Sequence, residues 1–167
     1  MVDFHRIRLH GPWQIRLLES DVSTNSCDGR GFHDLIKPDR PSISVNLPGE
    51  FGDSDQLQSL GLRRADPDPI ELLLVRRFNR PTGLVPGQTI VVGCWSDREV
   101  VAAWLNDERL LPSRFNFSEP ASSCFLLSTA SFAAYNSVGL IFRVGRLDRW
   151  RIDQVALGLS NQTGEDV

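Results

Sequence analysis

The chain has 167 residues, of which 41% are hydrophobic and 23% are charged. This length suits one globular domain and excludes two full catalytic domains, while the composition excludes a wholly disordered chain. The 18 basic and 21 acidic residues give a formal charge of −3, so no overall positive charge indicates nucleic acid or an anionic membrane as a partner.

Two features bear on where the protein resides. The longest apolar run is Val100–Leu105, far short of the roughly 20 residues that cross a bilayer. Charges at Asp3, Arg6 and Arg8 interrupt the N-terminal stretch, where a secretory signal needs an apolar run of about seven residues or more. We therefore expect neither a membrane span nor export.

The cysteines Cys27, Cys94 and Cys124 are widely spaced and odd in number. A disulfide framework needs paired cysteines, and a zinc site needs closely spaced ligands. The pattern therefore indicates reduced, buried thiols, and we expect a cytoplasmic protein in which all three cysteines are thiols.

In chain order, short segments of β-strand character follow one another between turns rich in glycine and proline. They are residues 7–9, 13–18, 43–45, 71–78, 89–95, 99–105, 125–127, 138–144 and 150–159. Two longer breaks, at about 20–40 and 47–69, have the composition of loops, the second with one helical turn around 56–60. This pattern predicts an all-β jelly-roll sandwich of about eight to ten strands, in one domain over residues 1–167.

The segment 97–111 fits both a helix and a strand, because its apolar residues include positions 100, 101, 104 and 105. Turn-forming residues at 96–97 and 106–107 favour a strand between two hairpin turns. Alternation then places residues 100, 102 and 104 on one face and residues 101, 103 and 105 on the other. Both faces are apolar, so we expect a central strand that is covered on both sides.

Several segments carry a family resemblance. Residues 71–110 contain a strand with arginines, a linker with proline, and a strand that ends in Ala103, Trp104, Leu105 and Asn106. These four residues are similar to the start of a V-W-L-N-G turn, and Asp107 stands where that turn has glycine. Residues 125–144 run as strand, turn, Asn136 and strand, and residues 42–48 and 150–160 match an early and a final strand. Together these segments, about two thirds of the chain, resemble the N-terminal sugar-binding domain of glycoside hydrolase family two, the β-galactosidase and β-glucuronidase family.

The resemblance implies a galactose-binding-like jelly roll, in which two antiparallel sheets pack face to face. In that family the paired carboxylates that hydrolyse the glycosidic bond lie on a separate barrel domain. A chain of 167 residues has no room for this barrel beside the sandwich. The resemblance therefore implies the fold without the enzyme activity.

No constellation of catalytic residues stands out from the sequence. The histidines His5, His10 and His33 all lie in the first 33 residues, and neither a GxSxG elbow nor an HExxH helix is present. His5 and His10 fit solvated or capping positions, and His33 with Asp34 fits a polar loop surface. We therefore expect no hydrolase, no zinc chemistry and no cofactor.

Carboxylates gather in the second predicted loop, which is rich in proline and glycine. They are Asp53, Asp55, Asp66 and Asp68. Oxygen ligands in such a loop suit a structural calcium ion. The favoured interpretation is a solvated loop whose like charges have no ligand, and the calcium ion is the alternative.

The arginines of segment 71–78 divide between the two faces of its strand, Arg76 with Leu74 on one face and Arg77 on the other. A guanidinium that points towards the core must be paired. We expect either a link to an Asp or Glu that ties the two sheets together, or a donor fork for sugar hydroxyls or a carboxylate. Asn79 and Arg80 follow at the strand end, so Arg77, Asn79 and Arg80 are candidate ligand contacts.

The tryptophans divide between the core and a platform for ligand. Trp104 and Trp150 lie inside apolar strands, which predicts burial. Trp95 ends its strand just before Asp97 and Arg98, so its ring lies beside an acceptor and a donor. Because the C–H face of a sugar stacks on aromatic rings, Trp95, Asp97 and Arg98 are the leading candidates for ligand contact.

For function, we expect a non-catalytic carbohydrate-binding module, with a protein-interaction or assembly module on the same scaffold as the alternative. Exposed aromatic rings on a concave face would favour a glycan, and a flat apolar patch would favour a partner protein or a second copy. The expected partner is a glycan or a protein, without nucleic acid or membrane. Ligand identity, oligomeric state and pathway stay open.

Overall fold

Short segments with alternating or continuous apolar residues form two antiparallel sheets in the computed structural model of the protein. The structure describes residues 4–18, 32–35, 41–62, 68–85, 88–113, 123–127, 132–146 and 148–163. Within these residues the inner faces of the two sheets pack against each other around a continuous apolar core. The predicted all-β jelly-roll sandwich is confirmed.

The described residues form twelve strands and two short helices. The strands are β1 (Phe4–Arg8), β2 (Trp13–Leu17), β3 (Ile43–Val45), β4 (Gly49–Phe51), β5 (Ile70–Asn79), β6 (Gln88–Ser96), β7 (Val100–Leu105), β8 (Glu108–Arg109), β9 (Leu111–Pro112), β10 (Ser123–Leu127), β11 (Tyr135–Val144) and β12 (Trp150–Thr163). The helices are α1 (Phe32–Leu35) and α2 (Ser54–Ser59). Neither of these two helices is long and apolar enough to span a membrane.

Each sheet contains six strands. Sheet A has the order β1-β12-β6-β10-β9, with β4 paired to β12, and sheet B has the order β3-β2-β5-β11-β7-β8. The nine predicted segments each correspond to a strand, and β4, β8 and β9 are additional. In sheet B, β5 and β11 pair along their whole length, from Asn79 opposite Tyr135 to Ile70 opposite Val144. This long pair forms the frame of the candidate site.

Large aromatic side chains fill the core between the sheets. The ring of Trp150 lies 4.6 Å from that of Phe51 and 5.0 Å from that of Phe142, measured between centroids. Trp150 is 2% exposed and Trp13 is fully buried. The predicted burial of Trp150 is therefore confirmed, and its ring connects β12 of sheet A with β11 of sheet B.

A second apolar cluster covers the outer face of sheet B. Helix α1 places the ring of Phe32 over Gly139 of β11 and 6.4 Å from the ring of Trp104, between centroids. The guanidinium carbon of Arg109 lies 5.8 Å from the same tryptophan ring. Trp104 is therefore buried, as predicted, but on the outer face of its sheet. The prediction of an unbroken loop over 20–40 is wrong at α1, because burial of Phe32 and Leu35 holds this turn against the sheet.

The second predicted loop, 47–69, also contains regular structure. Strand β4 pairs with the first residues of β12, and α2 follows, capped by Asp53, whose carboxylate accepts a hydrogen bond from the Asp55 amide at 3.1 Å. The helix buries Leu57 and Leu60 in the core. The helical turn expected around 56–60 is confirmed, within a helix that begins at Ser54.

The contested segment is the strand β7, as predicted, and only one of its two predicted hairpins exists. The turn after it is a hairpin, with Asn106 at φ 54° and Trp104 opposite Arg109. The reversal before it, around Asp97, is a crossover between the sheets, because β6 belongs to sheet A and β7 to sheet B. Turn-forming residues at 96–97 therefore do not imply that the two flanking strands pair in one sheet.

A β-bulge changes the predicted faces of β7. Pairing with β11 passes from Ala102 to Val100 and leaves Val101 as the extra residue. Val100 consequently packs into the main core instead of sharing the outer face with Trp104. Both faces of β7 are covered, as expected, but the strand lies next to the two-residue edge strand β8 and is not central.

The described cysteines are buried thiols. Cys94 and Cys124 are not joined in a disulfide, and Cys27 lies outside the described residues. Burial raises the pKa of Cys94 to about 12, against a smaller opposing effect of a hydrogen bond with Ser96. Burial likewise raises the pKa of Cys124 to about 11. Both thiols are therefore poor nucleophiles in the folded protein.

We predict that Gly139→Ala destabilises the fold by about 1–3 kcal/mol, because a Cβ at this position would overlap the ring of Phe32. Urea denaturation of a double-mutant cycle tests the cause. In a Phe32→Ala background, the same glycine substitution should cost less than about 0.5 kcal/mol. An equal loss in both backgrounds would show that the ring is not the cause.

We predict that the native protein protects Cys94 and Cys124 from a thiolate-specific reagent at pH 8, where fewer than about one in a hundred of either thiol is ionised. Denaturant without reductant should expose three thiols, including Cys27. The free energy of unfolding should fall as the pH rises from about 9 through 11, because the unfolded chain loses its thiol protons first. Detection of a single thiol would contradict the reduced state.

Candidate functional site

The six residues predicted for ligand contact fall into two groups at opposite ends of the sandwich. They are Trp95, Asp97, Arg98, Arg77, Asn79 and Arg80. The first three lie at the end of β6, beside Asp148, which follows the end of β11. The last three lie at the end of β5, beside the start of β11. Because β11 has ten residues, the ends are about 30 Å apart, and the two groups do not form one site.

At the first end, the ring of Trp95 packs on the outer face of sheet A. It contacts the small cluster of Val91 and Cys124. The guanidinium carbon of Arg6 lies 4.6 Å from the ring centroid, a distance at which a cation is attracted to the ring face. The ring is therefore partly buried and covered by a cation of the chain itself. Its role in ligand contact stays a prediction.

Asp97 and Arg98 make contacts that hold the crossover between the sheets. The Asp97 carboxylate accepts a hydrogen bond from the Arg151 amide at 2.8 Å, and the Asp97 amide donates to the Arg151 carbonyl at 3.2 Å. Arg98 forms an ion pair with Asp148 at 3.2 Å. Both side chains of this pair are more than a third exposed, so water screens it and it adds little stability. These contacts account for both residues structurally, whether or not they also meet a ligand.

At the second end, four outward side chains of β5 and β11 form a compact group. Asn79 lies opposite Tyr135, and Arg77 lies opposite Ser137. Side chains directly opposite each other in antiparallel strands have Cβ atoms about 4.5–5.5 Å apart, and diagonal neighbours remain within reach of long side chains. A guanidinium, an amide, a phenol and a hydroxyl therefore face the same side of sheet B within one small area.

This group opens into a cleft of about 450 Å³, which we call the Tyr135 cleft; its lining is Arg77, Phe78, Asn79, Tyr135, Asn136 and Ser137. Tyr135 is 81% exposed, and Arg77 and Asn79 are also exposed. Among the described residues, neither the Arg77 guanidinium nor the Tyr135 ring has a hydrogen-bonding, ionic or stacking partner. These groups are consequently available to a ligand.

Arg80, the third predicted contact at this end, has a structural partner. Its guanidinium donates to the carbonyl of Phe132 at 3.3 Å, and its amide donates to the carbonyl of Ala134 at 2.9 Å. Both bonds tie the end of β5 to the residues that lead into β11. Arg80 borders the Tyr135 cleft without lining it.

Two asparagines hold the cleft in place. The buried amide of Asn136 receives hydrogen bonds from the Ala133 amide at 2.9 Å and from the Asn106 side chain at 3.2 Å, and it donates to the Ala133 carbonyl at 2.9 Å. The Asn106 side chain accepts from the Ser137 amide at 2.9 Å. These are the two asparagines of the family resemblance. They fix the start of β11, and with it the positions of Tyr135 and Ser137.

Arg76 and Arg77 point to opposite sides of sheet B, as predicted. The guanidinium of Arg76 donates to the carbonyl of Pro12 at 2.6 Å, in the turn between β1 and β2. Gly11 lies against it, since a Cβ there would come within 2.6 Å of the guanidinium. The expected link from a core-facing arginine to an Asp or Glu is therefore wrong. A backbone carbonyl, which is less costly to desolvate than a carboxylate, takes its place.

The calcium site that the sequence offers as an alternative is not assembled from the described residues. Asp53 caps α2, and Asp68 accepts a hydrogen bond from the Arg146 amide at 3.2 Å. Asp66 lies outside the described residues. No three histidine, cysteine, aspartate or glutamate side chains in the described ranges lie together as metal ligands. The calcium ion stays a prediction.

The histidines do not contribute to either end in the described structure. His5 and His10 are exposed, and the side chains of His33 and Asp34, which belong to α1, lie outside the described residues. Tyr135, in contrast, is a candidate site residue outside the six that the sequence predicts, among which Trp95 is the stacking ring. Its polar neighbours at 136 and 137, at the start of an apolar strand, were the available signal.

We predict that Asn136→Ala destabilises the protein by about 2–4 kcal/mol, because it removes three hydrogen bonds and leaves buried groups without partners. Asn106→Gly keeps the left-handed turn and should cost about 1–2 kcal/mol. Asn106→Ala should cost about 1 kcal/mol more, because alanine is strained at φ 54°. Chemical denaturation checks these differences, and equal losses for the glycine and alanine variants would exclude the strain.

Comparison with solved structures finds the same fold in a β-glucuronidase. A β-glucuronidase of Faecalibacterium prausnitzii matches 83% of this chain and 21% of its own, with a TM-score of 0.51 and 15% identity. An FMN-binding β-glucuronidase of Faecalibacterium prausnitzii L2-6 matches 95% of this chain and 23% of its own, with a TM-score of 0.47 and 14% identity. No family model and no curated protein matches the chain. The chain thus spans about a fifth of the first enzyme and shares with it a β-sandwich fold.

Proposed function

We propose that the protein is a non-catalytic carbohydrate-binding module and that the Tyr135 cleft is its contact surface. One observation carries this proposal: the ring of Tyr135 is 81% exposed, beside the exposed donors Arg77 and Asn79. The ring stands on a paired strand, so little conformational entropy is lost when a ligand binds. A sugar can stack its C–H face on such a ring while its hydroxyls bind the neighbouring amide and guanidinium.

The chemistry of the lining supports binding rather than hydrolysis. Glycoside hydrolysis uses two carboxyl groups, about 5–10 Å apart, on either side of the scissile bond. The described lining of the Tyr135 cleft contains no Asp or Glu. The neighbouring β-glucuronidases are also several times longer than the matched segment. Most of each enzyme's own chain therefore lies outside the segment that matches this protein.

The resemblance to the N-terminal sugar-binding domain of glycoside hydrolase family two supports the same proposal. Asn136 lines the Tyr135 cleft, and Asn106, the other asparagine that carries that resemblance, donates a hydrogen bond to it. The fold shared with β-glucuronidases is consistent with a role beside carbohydrate. In this protein, the residues that would contact the ligand are Arg77, Asn79, Tyr135 and Ser137.

Assembly with another chain is a second candidate function, and one surface favours it. Leu111 is 71% exposed and Leu126 is 40% exposed, and the two residues lie opposite each other at the β9 edge of sheet A. Exposed apolar side chains at a sheet edge favour pairing with another chain. This surface belongs to a different sheet from Tyr135, so the two functions can be tested separately.

We predict that Tyr135→Ala lowers glycan affinity at least tenfold and leaves the fold intact. Binding to a glycan array, followed by calorimetric titration with the best oligosaccharide, measures the affinity. The wild-type affinity should be weak, because each hydrogen bond contributes only about 1 kcal/mol net. The free energy of unfolding should change by less than about 0.5 kcal/mol, since the side chain is exposed.

Leu111→Ala is the matched control, because it removes another exposed apolar side chain on the other sheet. It should leave glycan binding unchanged. Binding that survives Tyr135→Ala and is lost in a folded Trp95→Ala variant would move the site to the other end of the sandwich. Absence of glycan binding, together with a dimer by light scattering that Leu111→Ala dissociates, would favour the assembly function.

A further inference from the structure

We infer that the sugar bound in the Tyr135 cleft is acidic and that Arg77 binds its carboxylate. This inference rests on the proposed carbohydrate-binding function and specifies the ligand class of the same site. It follows from the one cation in the described lining, from the absence of a counter-charge to it among the described residues, and from its position relative to the Tyr135 ring.

Arg77 differs from the other arginines whose contacts the structure shows. Arg98, Arg143 and Arg151 each pair with a carboxylate, at 3.2, 2.6 and 2.6 Å. Arg76 donates to a backbone carbonyl. Arg77 is exposed on the cleft and has no described acidic or carbonyl partner. Neither its positive charge nor its fork of donors is therefore used by another residue in the part of the chain that the structure describes.

The charge of the lining selects among anions. A guanidinium presents two parallel N–H donors that match the two oxygens of a carboxylate. A phosphate carries nearly twice that charge, and proteins usually hold it with several donors, at a helix N-terminus or a nest of backbone amides. The described lining of the Tyr135 cleft has one cation, no acidic side chain and no helix. One positive charge without such a nest suits a ligand with a single carboxylate.

The register of the strands places this charge at a sugar's distance from the ring. Tyr135 lies opposite Asn79, and Arg77 lies one row further along, opposite Ser137. Diagonal neighbours of this kind have Cβ atoms somewhat less than about 7–8 Å apart. A sugar ring stacked on Tyr135 can therefore direct an exocyclic carboxylate to Arg77, while Asn79 and Ser137 meet ring hydroxyls.

The test uses matched probes that differ in charge and not in sugar: an oligogalacturonide and its methyl ester. A sulfated oligosaccharide without carboxylates is the third probe. Wild-type protein should bind the acid at least tenfold more tightly than the ester, the difference expected for a charge-assisted hydrogen bond. The preference should weaken as the salt concentration rises, because the cleft is open to water.

Arg77→Gln should lower the affinity for the acid about tenfold or more and leave that for the ester within about twofold. Arg77→Lys keeps the charge but not the fork, so it should retain only part of the preference. Arg149→Gln is the control with the same change in net charge, since Arg149 is exposed at the other end of the sandwich. It should bind all probes as the wild type does.

Four results would overturn the inference. Equal binding of acid and ester, or equal losses of both in Arg77→Gln, would reject an acidic ligand and leave the proposed carbohydrate function standing if Tyr135→Ala still abolishes binding. Tighter binding of the sulfated probe than of the acid would reject the carboxylate. Binding to no oligosaccharide on the glycan array would reject this inference and the proposed function together.

Discussion

The candidate site depends on the hydrogen bonds of the buried Asn136 side-chain amide. It is the polar side chain that the described core buries, and a buried amide is tolerated only when its donors and acceptors are used. Its three hydrogen bonds join the start of β11 to the residues just before it and to the turn between β7 and β8. A strand end without such bonds would fray, and the side chains of Tyr135 and Ser137 would lose their alignment with β5.

Local composition was sufficient to predict nine of the twelve described strands but not their partners. The continuous apolar run 100–105 indicated a strand covered on both faces, and β7 is covered in this way. Which sheet a strand joins depends on contacts distant in sequence. The residues at 96–97 have a turn composition that fits a hairpin, yet the chain crosses there from one sheet to the other. The bulge at Val101 likewise arises from pairing with β11, which the sequence of β7 alone does not contain.

The candidate site was predictable only in part, for the same reason. Arg77 and Asn79 were recognised as a polar strand end, but their neighbours became visible only with the register that places Tyr135 opposite Asn79. The predicted group around Trp95 consists of residues that are close in sequence. In the structure that closeness serves the crossover, where Asp97 binds the backbone of Arg151. Helix α1 was missed because four residues are too few to show a helical period.

The packing of Phe32 on Gly139 sets a boundary for the Tyr135 cleft. Gly139 lies in the row of β11 next to Ser137, so the ring covers the outer face of the sheet beside the cleft. A glycan bound as proposed would meet this ring if it extended along β11 beyond Ser137. For the proposed function, this boundary favours the terminal unit of a glycan over an internal one.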